Sequence, residues 1–409
     1  MKNKYHSFLR ITLLTLFALS CSLFSSIPME PQPGVPEAAP QEEVEQPSQS
    51  EDIFPISDLP TGIIAEKNGT LSLFDREGYT LTQLNATGLS YVDKSNLHIA
   101  KGFSQENTGL SIVYFSIEQN NSLLFNNYGQ ISTLLSNPNF SGLAGAEGKP
   151  IIAFTTAEFS GDSLISNLYV GTTRSLPTAE PVLSDNDPQG WALVALAVDT
   201  DNEEPTGVWY SKRPWGIGGD IVFDPRRTLS YLDLQTRVSS QYLGAEANPS
   251  AISTDRKWLA YTNDTSVGAG SGAMAVRNVQ TGENISYPLL TAVDQRGAGQ
   301  ASFSPGNQFL AWMEGSGWQM AETPNFHSVV RVGNMNGNVI ADFADTSFLS
   351  ISGLGTVQRV EPVGWFDDNT LVIMARGEFW EDAVLILVDI PSKTPRLLAQ
   401  GVFAGFAYP

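Results

Sequence analysis

The feature that most constrains this chain is a piece of text that returns. Ile252-Ser253-Thr254-Asp255-Arg256-Lys257-Trp258-Leu259-Ala260-Tyr261 is answered 51 residues later by Phe303-Ser304-Pro305-Gly306-Asn307-Gln308-Phe309-Leu310-Ala311-Trp312. A third copy, Trp365-Phe366-Asp367-Asp368-Asn369-Thr370-Leu371-Val372-Ile373, keeps the aromatic start, the polar turn and the apolar exit. Each copy reads as strand, tight turn, strand. Weaker exit strands stand at residues 63–65, 112–114, 152–154 and 194–196. The anchors Ile64, Ile112, Ile152, Val194, Leu259, Leu310 and Leu371 are thus 40 to 65 residues apart. After most anchors a second strand pair follows, for example residues 70–74 and 80–84, or 384–389 and 396–398.

Four strands per repeat of 40–60 residues, seven times over, predict an all-β chain folded as a β-propeller of seven blades, with six or eight the adjacent solutions. A pair of sandwiches would not return the same text at this period. Composition agrees: hydrophobic residues make up 42% and aromatics 10%, but charged residues only 16%, against roughly 25% in an average soluble protein. Forty-three acidic residues against 23 basic give a net charge of -20, which argues against a partner that presents phosphates, such as nucleic acid.

The run Phe303-Ser304-Pro305-Gly306 to Leu310-Ala311-Trp312 resembles the aromatic-Ser-Pro-Asp-Gly…Leu-Ala-Phe repeat of TolB-like propellers, related in shape to the WD-repeat family. Gly306 stands where that repeat has Asp, and Asp255 keeps the Asp without the Gly. The resemblance implies a disc whose strands radiate from a central channel. It also implies that loops on one face bind proteins, peptides or small ligands.

Residues 1–21 carry Lys2, Lys4 and Arg10, then the apolar run from Ile11 to Leu19. That is the layout of an export signal, too short to span a bilayer. The chain's one cysteine closes it, and Ala18-Leu19-Ser20-Cys21 resembles the bacterial lipoprotein box, which implies cleavage before a lipidated Cys21 and anchoring to a bacterial membrane. Ser22 after the cysteine resembles the sorting pattern of outer-membrane lipoproteins; an ordinary secretory signal is the alternative. Residues 22–57 read as a disordered linker, because from Ile27 onward they hold seven prolines and seven acidic residues and no Lys or Arg. Extended, about 30 such residues reach roughly 90 Å at ~3.1 Å each. Residues 58–409 are the expected propeller domain, held outside the cytoplasm on this tether.

The chemistry available to that domain is narrow. Only His98 and His327 lie beyond the signal, and no HExxH, CxxC or His cluster is present, so neither a zinc site nor any other cofactor is expected. Gly161-Asp162-Ser163-Leu164 spells the GDSL hydrolase motif without that family's context, and residues 199–204 read as an acidic loop lacking an EF-hand's spacing. The richest constellation follows the exit strands. It comprises Lys212, Arg213, Trp215, Asp220, Arg226 and Arg227 in the fourth repeat, Trp318 and His327 in the sixth, and Arg376, Phe379 and Trp380 in the seventh. Long loops on a rigid scaffold are where binding function lodges, and Trp and Arg are its preferred residues. Two readings stand side by side: the tryptophans form a shared binding rim, or each folds back to cap its own blade.

The leading expectation is a lipid-anchored, extracytoplasmic module that binds a protein or envelope component and performs no catalysis. The alternative is a propeller enzyme acting on glycans, with Glu378, Glu381 or Asp382 paired with Asp220 or Asp224 at the channel. A purely structural spacer would show no aromatic patch on either face.

Overall fold

The computed structural model describes residues 59–85, 97–101, 111–116, 122–136, 139–202, 204–216, 222–223, 225–263, 272–291, 296–317, 326–379 and 381–408. The signal, Cys21 and the linker lie outside these residues. In chain order the strands are β1 (Gly62–Lys67), β2 (Thr70–Phe74), β3 (Thr80–Asn85), β4 (Leu97–Lys101), β5 (Ser111–Ser116), β6 (Ser122–Asn127) and β7 (Gln130–Leu135). Next come β8 (Phe140–Gly145), β9 (Ile151–Ser160), β10 (Ser163–Thr172), β11 (Leu183–Asp187), β12 (Trp191–Asp201), β13 (Glu204–Pro214), β14 (Arg227–Asp233) and β15 (Ser239–Leu243). Then follow β16 (Asn248–Ile252), β17 (Trp258–Thr262), β18 (Met274–Asn278), β19 (Asn284–Ser286), β20 (Gly297–Phe303), β21 (Phe309–Ser316), β22 (His327–Asn334) and β23 (Val339–Ala344). The last are β24 (Arg359–Asp367), β25 (Thr370–Arg376), β26 (Ala383–Asp389), β27 (Thr394–Gln400) and β28 (Val402–Ala407).

They form seven four-stranded antiparallel sheets. Six are built from consecutive strands. The first blade is β28-β1-β2-β3, so the C-terminal strand supplies its inner edge, with Ile63 opposite Phe406 and Ala65 opposite Phe403. This closes the ring. Arg76 of blade one is ion-paired with Asp367 of blade seven, donates to Thr370 Oγ1 at 3.0 Å, and lies 5.5 Å from the Phe366 ring.

Side-chain alternation explains why the second strand of a blade reads as continuous apolar text. In β25, Leu371, Ile373 and Ala375 pack toward blade six, while Val372 and Met374 pack toward blade one. A strand buried on both faces has no polar side to alternate with. Seven apolar clusters result, one at each blade interface.

The recurring text is a recurring turn. Ser253 N–H donates to Trp258 O and Arg256 N–H to Ser253 O, while Ser304 N–H donates to Phe309 O and Asn307 N–H to Ser304 O. Arg256 and Asn307 take the same left-handed conformation, with φ of 60° and 57°. Gly306 has a tertiary reason. Its N–H donates to Asp368 Oδ1 at 2.7 Å, and a Cβ there would stand 2.4 Å from Asp368 Oδ2.

One sequence anchor is misplaced. In the other blades the anchor lies on the second strand, but Val194 lies on β12, the inner strand of blade four. The second strand is β13, where Val208 and Trp209 are buried. Both strands are 11 residues long, but β12 carries the more apolar text, so apolar spacing points to it and not to β13.

Candidate functional site

Strand alternation sorts the loops. Connections from second to third strand, and the links between blades, emerge on one face; the remaining turns emerge on the other. On the first face the second-to-third connections are short in blades one and three, at residues 68–69 and 161–162, but span 215–226, 263–273, 317–326 and 377–382 in blades four to seven. The Gly161-Asp162 pair of the GDSL text is simply the tight turn joining β9 to β10, with Gly161 at φ 63°. The link from blade six to blade seven adds a 3-10 turn, Asp345–Phe348, and one helical turn, Leu349–Ser352.

The sequence-derived rim resolves into separate groups. Lys212 Nζ sits 2.7 Å from Asp185 and 3.1 Å from Asp187. Arg227 reaches Asp187 at 3.2 Å and Gln189 at 3.0 Å, with its guanidinium 4.0 Å from the Trp191 ring. Burial alone would raise the Asp187 pKa, but Lys212 and the Gln189 N–H outweigh it and bring it below the ordinary aspartate value. Trp215 packs on Ala157, Leu164 and Ala192, a cluster bridging blades three and four, and its N–H donates to Gly190 O at 2.9 Å. Arg213 and Arg226 are half-buried, and the Arg226 N–H donates to Asn248.

Farther round the ring, His327 is 64% exposed with Nδ1 3.1 Å from Asp345, and Phe379 is 63% exposed. Arg376 is buried, with Nη2 2.8 Å from Glu361. Asp220, Asp224, Trp318 and Trp380 lie outside the described residues; the carboxylates expected to pair with Asp220 or Asp224, namely Glu378, Glu381 and Asp382, are all exposed. The acidic stretch at 199–204 joins β12 to β13, and Asp199 there accepts from Trp209 Nε1 at 3.0 Å and Arg256 Nε at 2.6 Å.

Two arginine–glutamate triads on this face were not foreseen. Glu314, 1% exposed, accepts from Arg296 at 3.1 Å, from the Leu290 N–H at 3.0 Å and from Arg331. Arg331 also reaches Asp342 at 2.8 Å and Pro288 O at 2.6 Å. Burial works against its charge, and the two carboxylates more than compensate, leaving its pKa above the usual arginine value. On blade seven, Glu361 accepts from Arg359 at 3.0 Å and from Arg376. No local pattern marks these groups in the sequence. Nothing there marks them as buried.

Two residues of the blade-four connection meet blades six and seven at the same place. Val222 and Phe223 are buried with Met313 and Phe326. They sit on the inner strands of blades six and seven, which line the channel. The Val222 carbonyl accepts from Arg359 Nη2 at 3.2 Å and from Gln300 Nε2 at 3.1 Å. Gly299 makes room for the ring, since a Cβ there would lie 2.4 Å from Phe223 Cδ1.

This chain is a seven-bladed β-propeller. No protein-family profile matches it, and no curated protein does. Among solved structures it is similar to TolB from Acinetobacter baumannii, at 12% identity over 84% of this chain and 80% of that one, with a TM-score of 0.40. It is similar to oligogalacturonate lyase from Vibrio parahaemolyticus, at 11% identity over 83% of this chain and 84% of that one, with a TM-score of 0.47. It is also similar to prolyl oligopeptidase B from Galerina marginata, at 8% identity over 86% of this chain and 52% of that one, with a TM-score of 0.50.

Proposed function

We propose that the protein is a tethered, extracytoplasmic recognition module that binds an envelope protein through the loop face and performs no chemistry of its own. The observation that carries this reading is the asymmetry of the ring. The long connections of blades four to seven all emerge on one face, and Phe379 at 63%, Leu349 at 47% and Leu290 at 42% stand exposed on connections of that face, while Tyr79 at 71% and Val238 at 58% stand on turns of the other. Exposed aromatics on a rigid scaffold are what a protein partner anchors to. The lipid anchor at Cys21 belongs to the same reading and rests on the sequence of the signal. Among the described residues no helix is long and apolar enough to cross a membrane.

The test is capture from solubilised envelope by the full mature chain beside a Phe379→Ser/Leu349→Ser variant, both checked by circular dichroism. A protein retained by the parent and lost by the folded variant supports the reading. Equal retention moves the binding site off this face and overturns it. A Cys21→Ser form that still fractionates with membranes would remove the lipid anchor.

A further inference from the structure

We infer that the seat occupied by Val222 and Phe223 is a peptide-binding site held closed by the protein's own chain, and that it accepts an extended partner segment bearing an aliphatic–aromatic pair. This deepens the proposed recognition role by naming the ligand class and its subsite.

Three observations meet at the seat. First, the way it holds the two residues is the way a site holds a ligand. One backbone carbonyl is clamped by Arg359 and Gln300, and one aromatic ring lies over Gly299 and Gly315 beside Met313 and Phe326. Second, the seat is cut to the ring: a Cβ on Gly299 would stand 2.4 Å from Phe223 Cδ1. Gln300, which follows it, sits at φ 50° in the inner-strand bulge that every blade of this ring carries. Third, the cis occupant leaves the polar groups incompletely used: Gln300 Oε1 and Arg359 Nε are both buried without a hydrogen-bond partner among the described residues. One is an acceptor and one a donor, the complement of the N–H and C=O along an extended peptide. Buried polar groups are rarely left so, and a longer strand of partner backbone in the seat would use both.

Displacement in trans then follows from competition. A partner segment has to outbid a tethered two-residue plug, whose effective concentration is high, so the intact protein binds short peptides weakly and a plug-deficient form binds them well. The probe is a synthetic peptide of residues 219–226, titrated by calorimetry into the full mature chain and into a Phe223→Ala variant. At least tenfold tighter binding to the variant is expected, with loss of that binding when Gln300→Ala is added. Equal affinity for the two proteins, or no binding to the variant, overturns the inference. If Phe223→Ala weakens the fold, the same peptide must raise its melting temperature while leaving the parent's unchanged. A variant that the peptide does not stabilise counts equally against the proposal. Loss of envelope capture on Phe379→Ser/Leu349→Ser is read independently, so failure of the peptide seat and failure of the recognition role are told apart.

Discussion

Removing the carboxylate of Glu314 is the most informative single perturbation of the loop face. The side chain is 1% exposed, and three donors converge on it: Arg296, Arg331 and the Leu290 N–H. Arg296 and Arg331 have side chains only 10% and 5% exposed, so neither charge can turn to water without moving the strands around it. Breaking a buried pair from one side costs about 3–5 kcal/mol, because it strands an uncompensated charge. Asp342, itself 41% exposed, stays with Arg331 and tempers the loss on that side, whereas among the described residues Arg296 keeps Ser316 Oγ at 3.2 Å. A Glu314→Leu variant is therefore expected to lose about 3 kcal/mol, toward the lower end of that range. Replacing the triad together, as Arg296→Met/Glu314→Leu/Arg331→Met, should bring the protein back to within about 1 kcal/mol, because apolar residues of similar volume substitute for buried ion pairs at little net cost. Urea unfolding followed by tryptophan fluorescence measures both, and Trp312, 5.6 Å from Arg331, reports the site directly. A single variant costing under about 1 kcal/mol, or a triple variant as unstable as the single, would refute the claim that stranded charge is what makes Glu314 necessary.

Gly333→Ala should destabilise by about 1–3 kcal/mol in the same assay, since its Cβ would stand 2.4 Å from Tyr287 Cε1, and Tyr287 is buried against Trp312 at 4.8 Å. Trp215→Ala is expected to cost about 1–2 kcal/mol of burial and to leave envelope capture intact, because this side chain caps the boundary of blades three and four; lost capture with an unchanged melting curve would return it to the binding surface. Acid should loosen the ring closure: burial would raise the Asp367 pKa, but Arg76 and the Asn369 N–H hold it below the ordinary aspartate value. Its contribution is therefore complete above that value and lost as pH falls through the lowered one. With Arg76 42% exposed the pair is worth under about 1 kcal/mol, and Asp367→Asn should flatten that part of a melting-temperature profile below pH ~4. Glu66 has the opposite sign, because burial, opposed by the Gly69 N–H and aided by Glu381, raises its pKa. Its contribution is present at low pH and lost as pH rises through the raised value, so Glu66→Gln should remove a decline on the neutral side.

Much of the architecture was legible because a propeller repeats a local event. Ser253 and Ser304 close the same turn with the same backbone hydrogen bonds, and the aromatic and apolar residues on either side enter the strands that the spacing implied. The reading weakened where the repeat lost its turn text. Val194 sits in the apolar text of β12 and Val208 in the largely polar text of β13, and the inner and second strands of blade four differ in radial position, which no periodicity encodes.

The rim shows the same division. Residue type singled out Lys212, Arg227 and Arg376 as candidates for a binding rim; in the folded ring Lys212 and Arg227 meet over Asp187, while Arg376 is buried against Glu361. Those partners come from other strands or other blades, and only closure of the ring sets which charges share a carboxylate.

Sequence by itself determined the strand content and the repeat, because each follows from residues within a few positions of one another. Tertiary structure alone decided that β28 completes blade one, that Gly299 is small to admit Phe223, and that the Val222 carbonyl rests between Arg359 and Gln300. Those contacts join residues separated by tens to hundreds of positions, and their energies exist only once the blades have closed and excluded water from between them.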